Sequence, residues 1–121
     1  TADMMFTLSV DGQNHYRNFL EQGYLKFERR TTAYGKQTVG SDVAFDATTH
    51  AFWRIRHDEA IDQLVYETAP RVGGGPGTWM ERGRTWRATV LSVKVELKAG
   101  TWQAEATAPG TVQFDSVKVV R

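Results

Sequence analysis

Cysteine is absent from this chain of 121 residues, which excludes a disulfide scaffold, a thiol nucleophile and any zinc or iron–sulfur centre held by thiolates. Long hydrophobic runs are missing too. No window approaches the roughly 18 consecutive apolar residues of a membrane span, and no charged-then-apolar leader opens the sequence. An excess of one charge is likewise lacking, with 15 basic against 14 acidic side chains and a formal net charge of +1. Lys and Arg are scattered rather than gathered into a run, so neither nucleic acid nor membrane insertion is expected. The three histidines, His15, His50 and His57, do not share the spacing of a metal pair and are expected at strand ends or on the surface. No serine sits in a Gly-x-Ser-x-Gly elbow. No Glu-x-Asp-x-Glu triplet offers the paired carboxylates of a glycosidase, and the glycines at 73–77 lack the Gly-Lys-Ser/Thr ending of a phosphate loop.

What is present is alternation. Met4 to Val10 sets Phe6, Leu8 and Val10 against Met5, Thr7 and Ser9, the period of two that marks a strand. Asp11-Gly12 is expected to supply the positive φ angles of a tight hairpin, returning the chain as a strand over His15–Leu20. Glu21-Gln22-Gly23 makes another turn, Tyr24 to Arg30 alternates again, and a further strand is expected from about Gln37 to Phe45. Asp46-Ala47-Thr48-Thr49 could cap a helical turn, but nothing after it repeats at 3.6 residues, so a loop is expected. His50–His57 and Leu64–Ala69 form the next strand pair, and Pro70–Gly77 reads as an exposed flexible loop. Thr89–Lys98 places Leu91, Val93, Val95 and Leu97 on one side, and Trp102–Ala106 and Val112–Val120 close the series. About nine short strands with regular turn signals describe one all-β antiparallel domain, a sandwich or barrel, spanning residues 1–121.

Several segments carry a resemblance. Asp11-Gly12-Gln13-Asn14-His15-Tyr16-Arg17, Leu25-Lys26-Phe27-Glu28-Arg29-Arg30, Trp53-Arg54-Ile55-Arg56-His57-Asp58, Val65-Tyr66-Glu67-Thr68-Ala69-Pro70, Gly77-Thr78-Trp79, Glu96-Leu97-Lys98-Ala99-Gly100-Thr101-Trp102-Gln103 and Phe114-Asp115-Ser116-Val117 resemble the C-terminal two thirds of concanavalin A-like (laminin G-like) jelly-roll domains of bacterial secreted and surface proteins. The resemblance covers nearly the whole chain and implies an antiparallel jelly-roll β-sandwich, extracellular or on the cell surface, that serves adhesion, assembly or glycan binding without catalysis. Domains of that kind begin with strands that precede the position of Thr1. The sandwich is therefore expected to be incomplete without an N-terminal strand, supplied by an upstream segment or by another chain. The unpaired edge would fall on Val112–Val120. The chain opens at Thr1 without an initiator methionine, as a processed product or a piece of a longer protein would.

Candidate ligand contacts follow from the strand faces. Arg54 and Arg56 share a face opposite Trp53 and Ile55, with Tyr66 and Glu67 on the expected neighbouring strand. Arginine forks and aromatic rings on a sheet face can hold a sugar, the ring stacking on its C–H face and the guanidinium binding hydroxyls or carboxylates. The competing reading makes Arg54 and Arg56 cross-strand ion-pair partners of Glu28 or Glu67. Trp53 and Trp79 are expected in the core, whereas Trp86 and Trp102 flank loops and could serve as stacking platforms, with corner packing the rival role for Trp102. Asp58, Glu59 and Asp62 are turn formers; calcium there is conceivable but unsupported by spacing. No cofactor is expected. Three functions stay in play: a glycan-binding module, a structural subunit of a surface filament assembled by strand exchange, and, with the least support, a glycoside hydrolase-like enzyme.

Overall fold

The computed structural model describes residues 3–86 and 94–100, and within them the chain is all-β, with antiparallel pairing throughout and no helix. The first sheet is built by a meander: β1 (Asp3–Asp11), β2 (Asn14–Glu21), β3 (Tyr24–Thr31) and β4 (Gly35–Thr38), with the short β5 (Val43–Ala44) also pairing with β3. The second contains β6 (Phe52–Asp58), β7 (Gln63–Ala69) and β10 (Met80–Trp86), with β7 central. Between them in sequence, β8 (Arg71–Val72) and β9 (Gly75–Pro76) form a small separate hairpin. The last described strand, β11 (Lys94–Gly100), returns to the first sheet and pairs with β1. The strand expectations over Trp102–Ala106 and Val112–Val120, and the N-terminal half of Thr89–Lys98, lie outside the described residues.

Turn chemistry sets the register. Gln22 and Gly23 both have positive φ, 52° and 81°, the geometry of a two-residue turn whose twist matches that of the flanking strands. It fixes Glu21 opposite Tyr24, and the rest of the β2–β3 pairing follows, with Arg17 opposite Glu28 and His15 opposite Arg30. The β1–β2 turn departs from the sequence expectation, because neither Asp11 nor Gly12 has positive φ. The Asp11 carboxylate organises it instead, accepting from the Gln13 and Asn14 backbone N–H groups at 2.7 and 2.9 Å, while a register shift between Ser9 and Asp11 absorbs the extra residue. These bonds favour the ionised carboxylate, and they hold the Asp11 pKa below its ordinary value, the Gln13 N–H contributing most.

With the register fixed, each strand of the meander divides into two faces. Leu8, Tyr16, Leu25 and Phe27 turn inward and meet Trp53, Ile55, Leu64 and Tyr66 of the second sheet, so the core lies between the two sheets. Phe27 and Tyr66 pack edge to face with ring centroids 6.2 Å apart, an arrangement favoured by the ring quadrupoles. The Tyr66 hydroxyl crosses the interface and donates to the Glu28 backbone carbonyl at 2.7 Å. Its phenol is raised far above the ordinary tyrosine range, chiefly by burial.

The strand expected over Gln37–Phe45 is interrupted. After β4, Val39 enters the core and donates its N–H to the Phe27 carbonyl. Gly40 then takes φ +68°, so tightly packed that a Cβ would sit 2.1 Å from the Arg82 carbonyl oxygen. That approach needs a glycine on conformational and steric grounds alike. Its counterpart is Gly83 on β10, beside a register shift between Glu81 and Gly83, where an added Cβ would meet Val39 and Gly40. The 46–49 loop is a single capped turn: the Asp46 carboxylate accepts from the Thr48 and Thr49 N–H groups, and the His50 N–H donates to the Asp46 carbonyl. Pro70–Gly77, expected as an exposed flexible loop, holds the β8–β9 hairpin, closed by a Gly77 N–H to Pro70 carbonyl bond of 2.8 Å.

Gly40→Ala is expected to cost on the order of 2–4 kcal/mol, from left-handed backbone strain plus overpacking. Gly74→Ala, with nothing within 4 Å of the added carbon, should stay within about 0.5 kcal/mol. Urea denaturation of the two variants checks the contrast.

Candidate functional site

The outer face of the second sheet holds the arginines that the sequence singles out. Arg54 lies directly opposite Glu67 and Arg56 opposite Val65, so on an antiparallel pair both guanidinium groups reach one carboxylate. Arg54 Nε and Arg56 Nε donate to Glu67 Oε1 at 2.9 and 2.6 Å. The Glu67 side chain is only 7% exposed beneath them, and the Arg54 guanidinium also lies 4.1 Å above the centre of the Trp79 ring. Trp79 is thus half-buried on the outer face rather than in the core. The cluster satisfies itself: of the two roles considered for these arginines, the structure displays the ion pair, with Glu67 and not Glu28 as the partner.

Tyr66, considered alongside them as a ligand contact, is fully buried. It pairs with Ile55 across the strands, and directly paired residues share a face, so its ring belongs to the core and cannot reach a ligand on the Arg54 side. Trp102 lies outside the described residues. Trp86 does present its ring: it is 64% exposed at the end of β10. There it lines an open groove of about 330 Å³ with Tyr34, Arg29, Asn14 and Thr32. Tyr34, on the β3–β4 turn, is 72% exposed. The groove's polar margin is pre-set, because Asn14 Nδ2 donates to Thr32 Oγ1, Asn14 Oδ1 accepts from the Thr32 N–H, and Arg29 is held by Gln37.

A second hollow, of about 520 Å³, lies on the outer face of the first sheet and was not anticipated from the sequence. Thr7, Ser9, His15, Arg17, Glu28 and Arg30 alternate with the core residues of β1, β2 and β3, and Lys36 reaches over from β4. Glu28 is buried at its centre. Its carboxylate faces His15 Nε2 at 3.1 Å, Arg17 Nη1 at 3.4 Å and Lys36 Nζ at 3.6 Å. The signal was available: a two-residue turn at Gln22-Gly23 implies that residues whose numbers sum to 45 are paired, which sets Arg17 against Glu28 and His15 against Arg30.

Of the two positions expected for the histidines, His15 and His50 take the strand end, near the starts of β2 and β6, and both are buried there, at 8% and 6% exposure. His50 Nδ1 accepts from the Asp46 N–H at 3.0 Å, a role open only to an unprotonated nitrogen. Burial is the leading cause that lowers the pKa of both rings; the Arg82 charge adds to it at His50, and the Glu28 hydrogen bond opposes it at His15. His57 remains partly exposed and pairs with Asp62 at 2.7 Å. Asp58 accepts from the Ala60 N–H within its turn and lies 3.5 Å from Arg84. Among the described residues no group of three or more His, Asp or Glu side chains could hold a metal ion, and no helix is long and apolar enough to cross a membrane.

Comparison with protein-family models, curated proteins and solved structures finds no match to this chain.

Two outcomes are expected from this geometry. Lowered histidine pKa values mean that the unfolded chain binds more protons than the folded one between the folded values and the ordinary 6.5. The stabilisation from His15 and His50 is therefore complete above that ordinary value and is lost as pH falls through the folded values. Urea midpoints should drop between pH 7.5 and pH 5, and the ring protons of both residues should titrate below the ordinary imidazole value of 6.5 by NMR. Glu67→Gln leaves two guanidinium groups facing a neutral amide, and its measured loss of stability should be on the order of 2–3 kcal/mol.

Proposed function

We propose that this protein is a non-catalytic glycan-binding module built on a concanavalin A-like jelly-roll sandwich, acting outside the cell or at its surface, and that it binds sugar in the Trp86–Tyr34 groove. The observation that carries the reading is the pair of solvent-facing rings lining one open groove. A large indole left 64% exposed forgoes burial that a core position would give it, and its free face suits the C–H surface of a pyranose. Asn14, Thr32 and Arg29 stand at the margin of the same groove, where a few polar groups can fix the orientation of a ligand held mainly by apolar contact.

The non-catalytic part is supported by how the described carboxylates are employed. Glu28 and Glu67 are buried under cations, Asp11 and Asp46 organise turns, and Glu81 pairs with Arg84 at 2.6 Å. Each is engaged by donors, which suits a structural role better than that of an acid or nucleophile in glycoside cleavage. Assembly by strand exchange rested on Val112–Val120, outside the described residues, and no observation on the described strands favours it over glycan binding.

Trp86→Ala and Tyr34→Ala should each reduce glycan binding at least about tenfold, on the scale of losing one aromatic platform, with unchanged melting temperature. Arg54→Ala and Arg56→Ala should leave binding intact. A glycan array followed by titration calorimetry with the best-retained oligosaccharide reads these outcomes. Retention unaffected by Trp86→Ala, or release of reducing ends from the bound oligosaccharide, overturns the reading.

A further inference from the structure

The hollow on the outer face of β1–β3 lies on a different surface from the aromatic groove and has a different chemistry. Among the described residues no Phe, Tyr or Trp ring lines it, so it lacks the large stacking platform that suits a neutral sugar. Among the described lining residues, Arg17, Arg30 and Lys36 stand against the carboxylates of Glu28 and Asp11, an excess of one positive charge even with His15 neutral. Asp11, moreover, directs its oxygens onto the Gln13–Asn14 turn.

Three polar atoms in the same hollow are buried without any hydrogen-bond partner: Thr7 Oγ1, Arg17 Nε and Arg30 Nε. Thr7 is only 3% exposed. Arg17 turns one terminal nitrogen to Glu28, and Arg30 reaches the Gln13 side-chain oxygen at 3.4 Å, while the Nε–H of each guanidinium stays unpaired. A buried donor left unpaired costs about 1–3 kcal/mol. It therefore marks a place where an acceptor would bind with advantage.

We propose that this hollow is an anion-selective binding site for a sugar-sized ligand bearing one oxyanion, a carboxylate or a phosphate ester, received by the guanidinium groups of Arg17 and Arg30, whose unpaired Nε–H donors turn to it. The volume of about 520 Å³ lies within the range of small-molecule sites. Charge-assisted bonds from planar guanidinium groups supply the affinity that stacking supplies in the other groove. Thr7 Oγ1 is then left to meet a ligand hydroxyl group. The proposal does not depend on glycan binding at Trp86.

Titration calorimetry at low salt with D-galacturonate, D-galactose 6-phosphate and D-galactose tests it. At least one acidic probe should bind tenfold or more tightly than galactose, with affinity falling as salt is raised, and the stronger of the two acids identifies the oxyanion. Arg30→Gln should lower that affinity about tenfold and Arg30→Lys less, while Thr7→Val, which keeps the volume, should weaken it with unchanged melting temperature. Trp86→Ala should have no effect. The proposal fails if neither acid binds better than galactose, if Arg30→Gln and Thr7→Val both bind as the parent does, or if Trp86→Ala abolishes binding.

Discussion

The contact on which the arrangement depends is the reach of Tyr66 across the sandwich to the backbone of Glu28. The tyrosine fills the core against Phe27, and its hydroxyl satisfies a carbonyl on the opposite sheet at 2.7 Å. A buried hydroxyl must find a partner or carry a desolvation penalty, so this bond specifies how the sheets sit as well as how tightly. Glu28 is engaged on both sides of its strand. Its carbonyl anchors the core contact, while its carboxylate organises His15, Arg17 and Lys36 in the outer hollow. The inter-sheet lock thus holds in place the residue around which the charged site is built.

The second constraint is the close approach of Gly40 to the Arg82–Gly83 backbone. It ends β4 ahead of β5, which rejoins the same sheet beside β3, and it coincides with the irregularity in β10. Together with the Tyr66 bond it fixes the sheets at two separated places, which defines their relative rotation. Trp86, at the far end of β10, is carried by that same strand. The position of the exposed indole relative to Tyr34 therefore follows from packing some distance away.

The sequence made the strands themselves legible wherever polar and apolar residues alternate, as in β1, β2, β3, β6 and β7. It misled where one glycine interrupts an alternating run, at Gly40, and where a glycine-rich stretch closes on itself, at β8–β9. The candidate site was harder to read, for a physical reason. Alternation assigns residues to faces within a strand, but a register is needed to say which faces of two strands coincide. Ile55 was correctly set opposite to Arg54, yet only the pairing of Ile55 with Tyr66 reveals that the tyrosine belongs inside. A cross-strand ion pair for Arg54 and Arg56 was legible from the charges on neighbouring strands, with Glu28 or Glu67 as partner, and the pairing of Arg54 with Glu67 selects the second. Trp86 was identifiable as a platform because it ends a strand next to a loop, whereas its companion Tyr34 lies 52 positions earlier and gave no such sign.

The spacing of partners along the chain also bears on how the molecule assembles. Pairings within the meander join residues close in sequence, while the bond from Tyr66 to Glu28 spans 38 positions. Local closures carry the smaller entropic toll and form sooner. Hairpin pairings within each sheet are thus expected to form ahead of the docking of one sheet on the other. During that interval the inward rings of Tyr16 and Phe27 face water, so the window of greatest vulnerability to clumping opens before Tyr66 arrives and closes when it does.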